Sequence, residues 1–272
     1  EQNQPHRLYV RGSRNYPSLT TAGMARQAHW SGKVPVFISL ADADAADDID
    51  THSALPLMLA RCSYLPLHLD EIHRHFAELA KVGSLEKIKE VRCWFSCKHL
   101  PVQWHLPVGA LYDILASSPS PLHLRLHYSA FPHDRLLPLG GQDTDSVRLQ
   151  FLNSLKESLF LRTGTTAVMN EISSSLLERL WHSVVAVDVG AYFQIVDPLY
   201  FNSTQAKYIP VRIFTKGNAE SPKQPLITVA EGTTTPLPAA HQVGGVECPE
   251  GITYAYASQH LIYPDGFLYV IE

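Results

Sequence analysis

The sequence has no apolar run near the roughly 20 residues that a membrane-spanning helix needs, and its N-terminus lacks the segments of a signal peptide. A cytoplasmic protein is expected, with any membrane contact peripheral. Neither charge sign dominates. Lys and Arg total 22 against 26 Asp and Glu, a formal charge of −4, so nothing draws nucleic acid or anionic lipid to the chain as a whole. Nucleic acid is not expected as a partner. Four cysteines, Cys62, Cys93, Cys97 and Cys248, are scattered without a CxxC pair, which removes a disulfide framework and leaves buried, reduced thiols as the expectation. Cys93 and Cys97 stand in a strand-like run without the exposed, electropositive setting of a thioester-forming cysteine. Walker and HExxH motifs are absent, and the pairs Gly140-Gly141 and Gly244-Gly245 lack GxGxxG spacing and read as turns. No catalytic residue, cofactor or metal site is therefore expected.

Fourteen histidines raise the question of a metal centre, and His68, His73 and His75 crowd one segment. No carboxylate stands with them as a third ligand. On a helix His73 and His75 would point about 200° apart. They are expected to be solvated helix histidines.

A hydrophobic content of 45% with 18% charged residues is that of a soluble globular chain. Residues 1–23 carry no apolar period and precede Met24, a natural translation start, so they read as a leader, a tail or an expression remnant. From Val34 the pattern becomes strand-like. Residues 34–40 and 55–60, joined by an Asp/Ala-rich linker, suggest a hairpin. Residues 69–80 place Leu69, Ile72, Phe76, Leu79 and Ala80 at helical spacing, with Asp70 and Glu71 in the first turn, where the helix dipole favours acids. A strand over 91–95, a short helix over 107–116 and the strictly alternating 122–128 complete the order strand, strand, helix, strand, short helix, strand. That order is the arrangement of a ubiquitin-like β-grasp domain, although many small α+β domains share it.

Residues 131–144 form a Pro/Gly/Asp connector, and two helical segments follow. In 145–161, Val147, Phe151, Leu152, Leu155 and Leu159 fall within an arc of about 140°. The second segment starts at Ser175-Leu-Leu-Glu178, a capping-box pattern, and stops at Asp197-Pro198. Its β-branched stretch 184–189 argues against an unbroken helix. Residues 208–214 and 226–229 read as a second strand pair and 266–271 as a last strand. In this second, smaller β-grasp domain the stretch 229–243 is Thr/Pro/Gly-rich where the main helix belongs, so that helix is short or missing. The expected division is 24–130 for the first ubiquitin-like domain, 131–205 for a helix-rich domain and 206–272 for the second ubiquitin-like domain.

Several blocks, in this order and at this spacing, resemble one family. They are Trp30-Ser-Gly-Lys-Val-Pro35, Ala60-Arg-Cys-Ser-Tyr-Leu65, the run from Val102 to Ala116, Lys207-Tyr-Ile-Pro-Val-Arg-Ile213 and Ser258-Gln-His-Leu-Ile-Tyr-Pro-Asp-Gly-Phe-Leu268. The chain is similar, from about Met24 onward, to the autophagy-related protein 5 family. The resemblance implies an α+β fold with two ubiquitin-like domains flanking a helix-rich one. It also implies a job. One lysine of the helix-rich domain is joined through an isopeptide bond to the ubiquitin-like autophagy-related protein 12, and in Phe151-Leu-Asn-Ser-Leu-Lys-Glu157 that lysine is Lys156. The conjugate would bind a helix of the coiled-coil autophagy-related protein 16. The assembly would then act like an E3, promoting transfer of autophagy-related protein 8 from its E2, autophagy-related protein 3, to phosphatidylethanolamine on the phagophore membrane during autophagosome formation.

Periodicity alone places Lys156 about 40° past Leu152, at the margin of the apolar face with Leu149 and Phe160 on its other side, and would equally suit an ordinary lysine whose stem lies on apolar surface. The chain as written ends in a strand-like Tyr269-Val-Ile-Glu272 without a terminal glycine, so an acceptor or a scaffold is expected rather than a donor. Trp30 and Arg61 are residue types that anchor interfaces and are candidates for the surface that receives the partner helix; a core-edge ring and a solvated strand-end charge are their ordinary alternatives. The competing reading is a non-covalent ubiquitin-like interaction scaffold.

Overall fold

A computed structural model describes residues 21–46, 54–117, 119–139, 144–165, 167, 169, 172–200 and 206–272. The chain opens with helix α1 (Thr21–Ser31), so the tail expected over 1–23 lies outside the described residues only up to residue 20, and the helix begins ahead of Met24. Strands β1 (Lys33–Leu40) and β2 (Leu55–Ala60) then pair antiparallel, with Val36 opposite Leu57. Alternation decides which side of β1 is buried: Val34, Val36, Ile38 and Leu40 face the core, as a period of two requires.

Helix α2 (Leu69–Phe76) packs Leu69, Ile72 and Phe76 into the core. It stops earlier than its apolar spacing suggests, and α3 (Leu85–Glu90), capped by Ser84, follows. Strand β3 (Trp94–Cys97) starts three residues later than residues 91–95 predict and turns into the two-residue β4 (Leu100–Pro101). Helix α4 (Val108–Leu115) takes Pro107 as its N-cap, and β5 (Leu122–His127) closes the sheet parallel to β1. The strand order β2-β1-β5-β3-β4 is that of a ubiquitin-like sheet.

The helical region holds α5 (Thr144–Thr163), α6 (Ser174–Val185) and α7 (Val189–Tyr200). The second helical segment is indeed broken where β-branched residues crowd, with Val187 at φ 52° between the two halves. Two details differ from the sequence reading. The cap of α6 is Ser173, whose side chain accepts from the Leu176 N–H, rather than Ser175. Pro198 does not stop the helix but sits in the last turn of α7.

Residues 208–214, expected as one strand, split at Pro210, which has no N–H to give a ladder. The first piece, β6 (Tyr208–Ile209), pairs with β8 (Ile227–Thr228) in a separate ribbon, while β7 (Val211–Phe214) enters the second sheet. That sheet runs β10 (Val246–Glu247), β9 (Gln242–Val243), β11 (Leu268–Ile271), β7, with β11 parallel to β7. It repeats the first sheet's layout except at one edge, where the hairpin partner of the opening strand is reduced to a single bridge between Ile213 and Lys223. Helix α8 (Val229–Thr234) has six residues, and α9 (Tyr254–His260) packs beside it. The mixed α+β architecture is thus two ubiquitin-like units with helices between them. No helix among the described residues is long and apolar enough to cross a membrane.

Candidate functional site

Lys156 projects from the solvent side of α5. The helix is fixed beneath it by Val147, Phe151, Leu155 and Leu159, all buried, with the Phe151 ring 5.6 Å from that of Trp181 on α6. Leu149 and Phe160, seven residues before and four after, share the lysine's side of the helix and are 61% and 49% exposed. The amine therefore stands within a strip of uncovered apolar surface. Such a strip is open to a partner without rearrangement of the core.

Glu157, the next residue, ties this helix to the second ubiquitin-like unit. Its carboxylate accepts from Arg212 on β7 at 2.8 Å and from the Gln224 amide at 3.1 Å. Arg212 is buried. Its guanidinium also donates to the Tyr269 hydroxyl at 3.1 Å, pairs with Asp265 at 3.4 Å and lies 3.7 Å over the Phe267 ring. Burial works against its charge, but Tyr269, Asp265 and Glu157 outweigh that and hold its pKa above the ordinary value. Burial likewise pushes the Asp265 carboxyl up, while Arg212 pulls it back. A cleft of about 310 Å³ opens here between the three units, lined among others by Gln103, His105, Asn153 and Arg212. His105 is held down at about 4, by burial first and by Arg212 second.

Trp30 and Arg61, the other two candidates, lie inside the molecule. Trp30 ends α1 fully buried, with its ring 4.4 Å from Tyr192 and 5.8 Å from Phe193 on α7. Arg61 follows β2 and forms an ion pair with Asp113 of α4, donating also to Tyr263 at 3.1 Å and to the Gly109 carbonyl at 3.3 Å. A Cβ on Gly245 would come 2.6 Å from an Arg61 nitrogen, so the turn of the second sheet rests directly on this cation. Both residues hold junctions between units, and neither presents free area to a partner in this conformation. Nothing near Arg61 in the sequence points to Asp113, 52 positions away.

The histidines and cysteines fall as follows. His73 is fully buried, not solvated, while His75 is exposed. The apolar arc itself explains this: His73 lies at its edge, about 40° from Leu69 and about 60° from Phe76 on the wheel. His68 shares a 2.7 Å hydrogen bond with Ser63. All four cysteines are free and buried, and burial pushes the Cys93 thiol up to about 12. Gly244 and Gly245, both at positive φ, make the two-residue turn between β9 and β10; Gly140 and Gly141 lie outside the described residues.

Against known families, residues 29–128 match the UblA domain of autophagy protein ATG5 and residues 144–202 its alpha-helical bundle region. Autophagy protein 5 of Arabidopsis thaliana is 33% identical over 183 residues, 66% of this chain and 51% of that relative. The Oryza sativa subsp. indica protein of the same name is 35% identical over 170 residues, 61% of this chain and 42% of its own length. The chain thus spans about half of these plant relatives. Autophagy protein 5 of Aspergillus clavatus is 30% identical over 236 residues, covering 78% of this chain and 71% of the relative. In fold, the crystal structure of Kluyveromyces marxianus Atg5 superposes with a TM-score of 0.79 at 21% identity, over 91% of this chain and 98% of the other. On the strength of the matched domains and of these relatives, the chain belongs to the autophagy protein 5 family.

Proposed function

We propose that this chain is a non-catalytic scaffold of autophagy whose Lys156 accepts autophagy-related protein 12 through an isopeptide bond. The observation that carries this reading is the setting of Lys156: an exposed amine on a helix that is buried behind it and braced through Glu157 and Arg212. A lysine held in place meets an activated thioester with less orientational freedom to lose, which is where a scaffold contributes rate. Chemically, the neutral amine attacks the thioester carbonyl, the E2 thiolate leaves, and the proton lost by nitrogen passes to solvent or to the thiolate.

On this reading the conjugate binds autophagy-related protein 16 and promotes lipidation of autophagy-related protein 8 by autophagy-related protein 3, in the cytoplasm and peripherally at the phagophore membrane. Trp30 and Arg61 contribute by holding the junctions on which the partner helix would rest. Because Arg61 is buried against Asp113, an Arg61→Glu change would have to be checked for folding before any loss of binding is assigned to contact.

Lys156→Arg keeps the charge and the stem, so the fold and thermal midpoint should be unchanged while the covalent adduct disappears. The measurement is reconstitution with the modifier and its activating enzymes, read on a denaturing gel. An undiminished adduct on the variant would overturn the assignment, and a wild-type complex that comes apart entirely in SDS would favour the non-covalent scaffold.

A further inference from the structure

The outer face of the first sheet carries a second cleft, of about 580 Å³, with two cationic side chains in its lining. Lys98, His99, His123 and Arg125 line it together with the hydroxyl-bearing Ser117 and Ser120, and none of the described residues lining it is acidic. That composition runs against the chain's net charge of −4. The ion pair of Arg125 with Asp42, at 3.2 Å, is 53% and 68% exposed on its two sides, so a bound anion can compete for the guanidinium at little cost.

The backbone that presents two of these side chains is strained. Cys97 pairs with Leu100, leaving Lys98 and His99 as a two-residue turn at φ 49° and 70°. Both positions of this turn need the left-handed region that Asn-Gly fills most easily. The chain makes a turn of the same length between Val243 and Val246, and there it uses Gly244-Gly245. Side chains kept where the backbone would prefer to be without them point to a task for those side chains.

We propose that this cleft binds a phosphomonoester carried on a peptide, a phosphoserine or phosphothreonine of a partner protein. Lys98 and Arg125 take the phosphate oxygens; His99, His123, Ser117 and Ser120 supply further hydrogen bonds. A phosphomonoester brings a charge of about −1.5 to −2 and three acceptor oxygens, which suits Lys98 and Arg125 together with several further donors. A lone carboxylate would bring less charge and two acceptor oxygens rather than three. The concave shape and polar lining, within the roughly 300–1,000 Å³ of small-ligand clefts, suit a single projecting group better than the flat surface of a bilayer, which calls for a protruding apolar face.

The test uses the full chain and a fluorescent phosphoserine peptide flanked by Ala and Gly, read by anisotropy. Control arms are the same peptide with Ser, the peptide with Glu, inorganic phosphate as competitor, and vesicles of phosphatidylcholine with phosphatidylserine. Saturable binding is expected to the phosphopeptide, displaced by phosphate and weaker by about tenfold or more for the Glu peptide. The double variant Lys98→Asn with His99→Gly should lose this binding while its thermal midpoint stays or rises, since Asn-Gly suits the turn. Arg125→Gln should weaken binding by about tenfold without unfolding. The proposal is overturned by a wild-type chain that does not bind the phosphopeptide, by equal affinity for the Glu peptide, by vesicle binding that depends on these residues with the peptide silent, or by a double variant that binds as before.

Discussion

His73 sits in the core of the first unit with both ring nitrogens unpaired and its ring 5.8 Å from that of Tyr128. Burial, the leading cause, holds its pKa down at about 4; His29 is held at about 3 in the same way, with Arg61 adding to the effect. The consequence for stability has a definite sign. As pH falls below about 6.5 the unfolded chain takes up protons at these positions and the folded chain does not, so stability present above that pH is lost progressively toward pH 4. Replacing His73 with Phe keeps an aromatic ring in the site and removes one such group. Urea denaturation of His73→Phe should show a flatter loss of stability between about pH 6.5 and 4, the variant being better off by on the order of 1 kcal/mol near pH 5. An unchanged pH slope would mean that the folded core gives the imidazolium a partner. His73 was expected to be solvated, although it follows Leu69 by four residues on the apolar side of the helix; its burial and its lack of partners became visible only once Tyr128 and the sheet had closed over it.

At the scale of elements, α8 is the piece whose existence the sequence left open. Six residues containing Gly232 and two threonines make a poor helix on propensity, and a helix this short is marginal alone. What holds it is a capping box: Thr228 accepts from the Glu231 N–H at 3.1 Å, and the Glu231 carboxylate accepts from the Thr228 N–H at 3.0 Å. The Thr228 N–H, with the Thr228 hydroxyl that also donates to this carboxylate at 2.9 Å, lowers the Glu231 pKa. Thr228→Ala should cost about 1 kcal/mol and speed hydrogen exchange at 229–234 ahead of the rest of the second sheet. If exchange there matches the wild type, packing rather than the cap secures the turn. The strands of the first sheet were readable because alternation in 34–40 and 122–128 is a strong local signal. Pro210 and the single Ile213–Lys223 bridge were not, since whether a run splits or a strand survives depends on which neighbours it meets in space. Helix α1 escaped for a related reason: it is held by the buried Trp30 and by Arg26, which pairs with Asp197 of α7 and donates to the Gln259 carbonyl of α9, contacts with no counterpart in its own local spacing.

At the scale of the whole molecule, the units are joined by buried charge as much as by apolar contact. Arg212 links α5 to the second sheet, and Arg61 with Asp113 supports both Tyr263 and the Gly244-Gly245 turn. The candidate acceptor Lys156 was visible in the sequence only through the family's blocks; its brace was not visible at all, because Glu157 and Arg212 lie 55 residues apart. Burial opposes the Arg61 charge, and Tyr263 and Asp113 outweigh it, so the guanidinium stays protonated. Removing one member of such a pair strands the other in low dielectric, whereas replacing both with apolar side chains of similar volume removes the charge and its desolvation together. Asp113→Ala should therefore cost about 3–5 kcal/mol, and Arg61→Met with Asp113→Leu should recover most of that loss. A double-mutant cycle by urea denaturation reads the difference directly. Should Asp113→Ala prove mild, Tyr263 and the Gly109 carbonyl alone would be enough to hold Arg61, and the junction between the two ubiquitin-like units would owe its stability instead to contacts such as the His29 ring 4.8 Å from that of Tyr263 and the Gly217 N–H donating to the Ile114 carbonyl at 2.7 Å.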